Sequence, residues 1–186
     1  MVGISGLWMP IVLSAVAVFI VSSLIHMVLG WHKSENPAPP NADALGDAMR
    51  PFNLAPGEYS MPRAASMKDM SSPEFVAKMT KGPVVMFTVF PNGPMNMGRS
   101  LGLWFVYSIA IGVFTAYVTG RTHMIGDDYL SVFRVAGAVS FAAYGIGVWQ
   151  NWIWWGRSLR GALTGTLDGL IYALVTAGMF GWLWPR

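Results

Sequence analysis

Four long apolar runs, parted by one long polar stretch and two short ones, set the pattern of the chain. The first, Leu7 to Leu29, carries no formal charge and is bracketed by Trp8 and Trp31, side chains suited to a membrane–water boundary. The second, Leu101 to Val118, has Trp104, Tyr107 and Tyr117 near its ends. The third, Tyr129 to Trp149, is entered through Arg134, whose long stem can reach the near interface. The fourth, Gly161 to Trp184, has roughly 24 residues at about 1.5 Å each, about 36 Å against about 30 Å of hydrocarbon. The pattern predicts an all-α integral membrane protein of four transmembrane helices, at about 7–30, 101–119, 130–149 and 161–184. A single membrane domain then covers residues 1–186.

Between the first two spans the character changes. Ten prolines lie between Pro37 and Pro94, and they keep most of the segment from being helical. Ser72-Pro73-Glu74 is a helix start, with proline first and an acid in the first turn, and that helix should end near Lys81-Gly82. Val84 to Phe90 is too short to cross a bilayer as a helix, which leaves a strand, a reentrant piece or an interfacial segment. The proline-rich loop, residues 32–99, is too long to be mere connection. It is expected to lie over the end of the bundle or against another subunit.

Composition sharpens this picture. The chain is 54% apolar and only 11% charged, against about 25% charged in soluble domains. No Lys or Arg precedes the first run, and the run is long for a signal peptide, so it reads as a retained helix. Twelve Lys and Arg against nine Asp and Glu leave a scattered +3, which argues against nucleic acid as a partner. No cysteine is present, which removes disulfides, thiolate metal sites and cysteine nucleophiles. Lys33, Lys78, Lys81, Arg99, Arg157 and Arg160 gather on one side, Arg121, Arg134 and Arg186 on the other. The positive-inside bias makes the first side cytoplasmic, with the 32–99 loop, and both termini periplasmic.

The candidate chemistry sits in the fourth run. Gly161, Gly165 and Gly169 recur every four residues, a ridge that lets another helix backbone approach. Thr164, Asp168, Tyr172 and Thr176 recur every four as well, an intramembrane polar stripe. A carboxylate at that depth costs a few kcal/mol unless partnered, so Asp168 should face protein or water. His26 and Asp168 lie at heights that differ by only roughly 5 Å, so they are expected to face each other, through Tyr172 or a water. Such a pair could relay protons or hold a ligand. In a purely structural role the carboxylate would accept from Thr164, Tyr172 or a backbone group.

Other chemistries find little support. His26 and His32 are six apart, hence expected on different helix faces, and His123 belongs to the opposite side, so no bis-histidine haem site is expected. Met95 and Met97 form a thioether pair without a supporting His or Cys cluster, and methionine more often fills packing gaps. No metal, cofactor or catalytic site is expected, and no hydrolase motif, Walker loop or HExxH occurs.

At Ile25-His26-Met27-Val28-Leu29-Gly30-Trp31-His32-Lys33, at Gly93-Pro94-Met95-Asn96-Met97-Gly98 and at Leu167-Asp168-Gly169-Leu170-Ile171-Tyr172-Ala173, the chain resembles an uncharacterised family of small four-helix bacterial inner-membrane proteins. The resemblance implies a bacterial inner membrane and carries no activity with it. The leading expectation is a non-catalytic accessory or scaffold subunit of a larger respiratory or photosynthetic type complex. Its partners would be membrane lipids and other membrane subunits or further copies of itself. The alternative is a small proton-coupled transporter or channel using Asp168 and His26.

Overall fold

A computed structural model describes all residues from Met1 to Arg186. The chain divides into two compact units, one of Met1–Pro37 with Asn96–Arg186 and one of Ala38–Met95.

The first unit is a bundle of four helices long and apolar enough to cross a membrane: α1 (Ile4–Leu29), α4 (Met97–Thr122), α5 (Tyr129–Trp155) and α6 (Leu159–Trp182). All four expected long apolar helices are present, with moved ends, several of which have local causes. Asn96 caps α4, its side chain accepting from the Arg99 N–H at 3.0 Å, so this helix starts ahead of Leu101. The third helix runs past Trp149 through a π turn at Ala142–Ile146, and the expected turn 150–160 shrinks to three residues. Gly156, at φ +63°, ends α5, and the Ser158 side chain caps α6 by accepting from the Gly161 N–H.

Neighbours around the bundle run α1, α4, α5, α6 and back to α1, which leaves α4 and α6 diagonal and parallel. The Val2 N–H donates to the Gly120 carbonyl, fixing α1 antiparallel to α4. At the Met1 end the chain ends meet around Met124, whose Sδ receives the N-terminal amine and whose carbonyl receives the Trp184 indole N–H, each at 2.8 Å. One buried apolar cluster, including Leu7, Val132, Ala177 and Phe180, fills that half. A second, of Val18, Ile25, Ile111, Tyr144 and Tyr172, fills the half toward His32.

The glycine ridge is used inside the chain. A Cβ built on Gly169 would fall 2.6 Å from the Gly145 nitrogen and 2.8 Å from the Tyr144 carbonyl carbon, so α6 and α5 touch backbone to backbone. Gly165 faces Val148 at ordinary contact distance, and Gly161 lies near Ser158 and Glu35.

The second unit holds α2 (Ala42–Met49), β1 (Gly57–Met61), α3 (Pro73–Lys81) and β2 (Val85–Val89). The expected loop is thus partly regular structure. Ser72 caps α3, accepting from the Phe75 N–H, with Pro73 at the first position. The short apolar run is the strand β2, paired antiparallel with β1 from Gly57↔Val89 to Met61↔Val85. Tyr59 stacks on Phe87 across that pair, with ring centroids 5.5 Å apart.

Candidate functional site

The site lies at the other end of the bundle, where α1 stops. Its last turn, Ile25–Leu29, is a π turn, a form often found at functional sites. The Ser22 carbonyl accepts from the His26 ring, 2.9 Å from Nδ1, which requires that Nδ1 carry the proton and leaves Nε2 with a free lone pair. Gly30 then ends the helix at φ +64° and ψ 7°, the left-handed conformation that glycine adopts without penalty. The Lys33 N–H closes the turn on the Gly30 carbonyl. This reversal folds His32 back over α1, so the two imidazoles lie parallel with centroids 4.5 Å apart and planes 4° apart. The expectation that they occupy different helix faces is therefore wrong, because the helix ends between them.

His32 bridges two carboxylates. Its Nδ1 is 2.8 Å from Glu35 Oε1 and its Nε2 is 2.8 Å from Asp168 Oδ2. The Trp31 indole N–H also lies 2.8 Å from Nε2 and donates there when that nitrogen is unprotonated. Asp168 is 5% exposed, facing inward as expected, but its direct partner is His32 and not His26. Ring nitrogens of His26 and His32 and a carboxylate oxygen of Asp168 nevertheless lie within 4.8 Å of one another. Thr164 does not serve Asp168; its hydroxyl donates to Glu35. Burial pushes the Glu35 carboxyl up, but hydrogen bonds from Thr164 and His32 and the charges of His32 and Arg160 outweigh this, holding it below its ordinary value.

Above the cluster the polar stripe continues without partners. Asp168 Oδ1, the Tyr172 hydroxyl and the Thr176 hydroxyl are buried and bonded to no protein group. Tyr172 stands among Trp104 and Tyr144, with ring centroids 5.7 and 5.6 Å away. Across the bundle on α4, the hydroxyls of Thr115 and Thr119 are also buried and unpaired. Their stripe leads to His123, 7% exposed, which meets Trp184 edge-on. Counting back from that contact at about 1.5 Å per residue puts Thr176 about level with Thr115.

Glu35, Trp31 and His32 were missed as partners, as were Thr115 and Thr119. The signal for the first three was Gly30, a helix stop that turns the chain back. For the others it was the spacing of Thr115, Thr119 and His123, every four residues like the stripe on α6. No family model, curated protein or solved structure matches the chain.

Proposed function

We propose that this chain is a multi-pass protein of the bacterial inner membrane that conducts protons, as a small proton-coupled transporter or channel. The observation behind the reading is the set of five buried, unpaired side-chain oxygens on α6 and α4: Asp168, Tyr172, Thr176, Thr115 and Thr119. Each such group costs about 1–3 kcal/mol when left unsatisfied, more than a bundle meant only to pack would carry repeatedly. Hydroxyls and a carboxylate in that order suit a chain of exchanging waters and protons. The Glu35–His32–Asp168 cluster is the mouth at one end, and His123 ends the row at the other. Lys33, Arg99, Arg157 and Arg160 at the His32 end support a cytoplasmic side for that end, with both termini in the periplasm.

Proteoliposomes with a trapped pH-sensitive dye and an imposed potential test this. Wild-type protein should acidify or alkalinise the lumen with the sign of the potential. Asp168→Asn should reduce the flux at least tenfold, and Thr176→Val severalfold. Equal flux in Asp168→Asn and wild-type vesicles would end the proposal.

The second reading is the non-catalytic accessory subunit. It draws on the unit Ala38–Met95, which presents exposed Phe52, Met67 and Val84. It loses the glycine ridge as an argument for a partner, since Gly169 packs on Gly145 of the same chain. Mild solubilisation from native membranes, with mass spectrometry of co-purifying chains, separates the two readings.

A further inference from the structure

We propose that His26, His32 and Asp168 bind one divalent first-row transition metal ion of the zinc type, with Glu35 as the supporting carboxylate behind His32. The donor set, two imidazoles and one carboxylate, is that of sites that hold a metal on three protein ligands and keep a further position open. The donor atoms already lie within 4.8 Å of one another. Ligands about 2.0–2.1 Å from a tetrahedral ion stand about 3.3 Å apart, so small side-chain rotations complete the site. The 2.8 Å pair between His32 Nε2 and Asp168 Oδ2 would then widen by about half an ångström.

What distinguishes this cluster from an ordinary ion pair is the second bond each histidine makes. Imidazoles that bind metals hand their other N–H to a backbone carbonyl or a carboxylate, which fixes the tautomer and aims the free nitrogen. His26 gives Nδ1–H to the Ser22 carbonyl, and His32 sets Nδ1 against Glu35, itself held by Thr164. The Nε2 of His26 is therefore a free donor, and the Nε2 of His32 becomes one when the Trp31 N–H, 2.8 Å from it, gives way to the metal. Asp168 Oδ1, buried and unpaired, offers a second oxygen. Charge is compatible as well, because a bound metal takes neutral imidazoles and would leave two carboxylates, with only the Arg160 charge beside Glu35, to face the cation. Glu35, behind His32, borders an open cavity of about 450 Å³ with Asn36, Ser158 and Gly161. Of the three donors His26 is the exposed one.

The site shares Asp168 and His32 with the proposed proton mouth but does not depend on flux, so binding and conduction fail separately. Titration calorimetry on the full chain in mild detergent, purified without a polyhistidine tag, should give one Zn²⁺ per chain. His26→Ala and Asp168→Asn should each weaken binding at least 100-fold, and Glu35→Gln about tenfold. Excess Mg²⁺ should displace none, since it prefers oxygen ligands. Zinc-edge X-ray absorption of the wild-type protein should show two imidazoles, a measurement that stands even if a variant misfolds. No zinc binding, fewer than two imidazoles, or an affinity unmoved by all three substitutions would overturn the proposal.

Discussion

Replacing Gly169 by alanine puts one methyl group where α6 meets α5. The added Cβ would fall 2.6 Å from the Gly145 nitrogen and 2.8 Å from the Tyr144 carbonyl carbon, closer than nonbonded atoms can stay. The obstructing atoms are backbone, so no side chain can rotate away and the helices must separate. Overpacking of this kind costs about 1–3 kcal/mol, and the absence of any soft neighbour argues for the upper part of that range. Against it stands the gain of about 0.5–1 kcal/mol from replacing a mid-helix glycine by alanine. The net expectation is a loss of about 2 kcal/mol, or roughly 30-fold in the folded-to-unfolded ratio. Gly165→Ala is the internal control: its Cβ would meet Val148 no closer than 3.7 Å, so only the helical gain remains. Reversible unfolding in mixed micelles, titrated with denaturing detergent and followed by tryptophan fluorescence, reads both. If the two variants shift stability by the same amount, the backbone contact between α5 and α6 is not what the geometry says.

Two further perturbations address the ends of the bundle. The Asp128 carboxylate caps α5 by accepting from the N–H groups of Leu130 and Ser131. The Ser131 backbone bond first, then the Ser131 side chain, the Leu130 bond and the Arg134 charge, hold its carboxyl below the usual value. A lowered folded-state value means stabilisation that is present above the unfolded value of about 3.9 and fades as the pH falls through the folded one. Melting temperatures recorded between pH 6 and pH 3 should therefore drop less steeply in Asp128→Asn than in wild-type protein, and parallel curves would contradict the cap. Gly30→Ala forces a Cβ into the left-handed region at φ +64°, at a cost of about 1 kcal/mol. The same micelle unfolding assay should detect that loss, whereas a stability gain would mean the turn before His32 does not need glycine.

The four helices were legible because apolar runs long enough to span are a strong signal, and the caps at Ser72 and Pro73 were legible because local chemistry decides them. The inward face of Asp168 followed from the cost of exposing a carboxylate among apolar side chains. Its partner does not follow, because helical spacing cannot be carried from His26 to His32 across Gly30, which ends the helix. A strict period of 3.6 separates those rings, whereas the π turn and the left-handed Gly30 stack them. Glu35 was beyond reach for another reason: its contact with Thr164 joins positions 129 apart, and no local pattern encodes it. The stretch 32–99 reads as a proline-rich loop with one short helix from Ser72-Pro73 and an undecided run at Val84–Phe90, yet β1 and β2 pair within it.

That long separation has a bearing on how the protein is made. A chain emerges from its N-terminus at about 5–20 residues per second, so His32 and Glu35 wait on the order of ten seconds before Thr164 and Asp168 exist. Until then the ionisable residues after the first helix have no partners on the last one. Only the arrival of the last helix lets those groups be drawn inward, which makes closure of this cluster a late step of maturation.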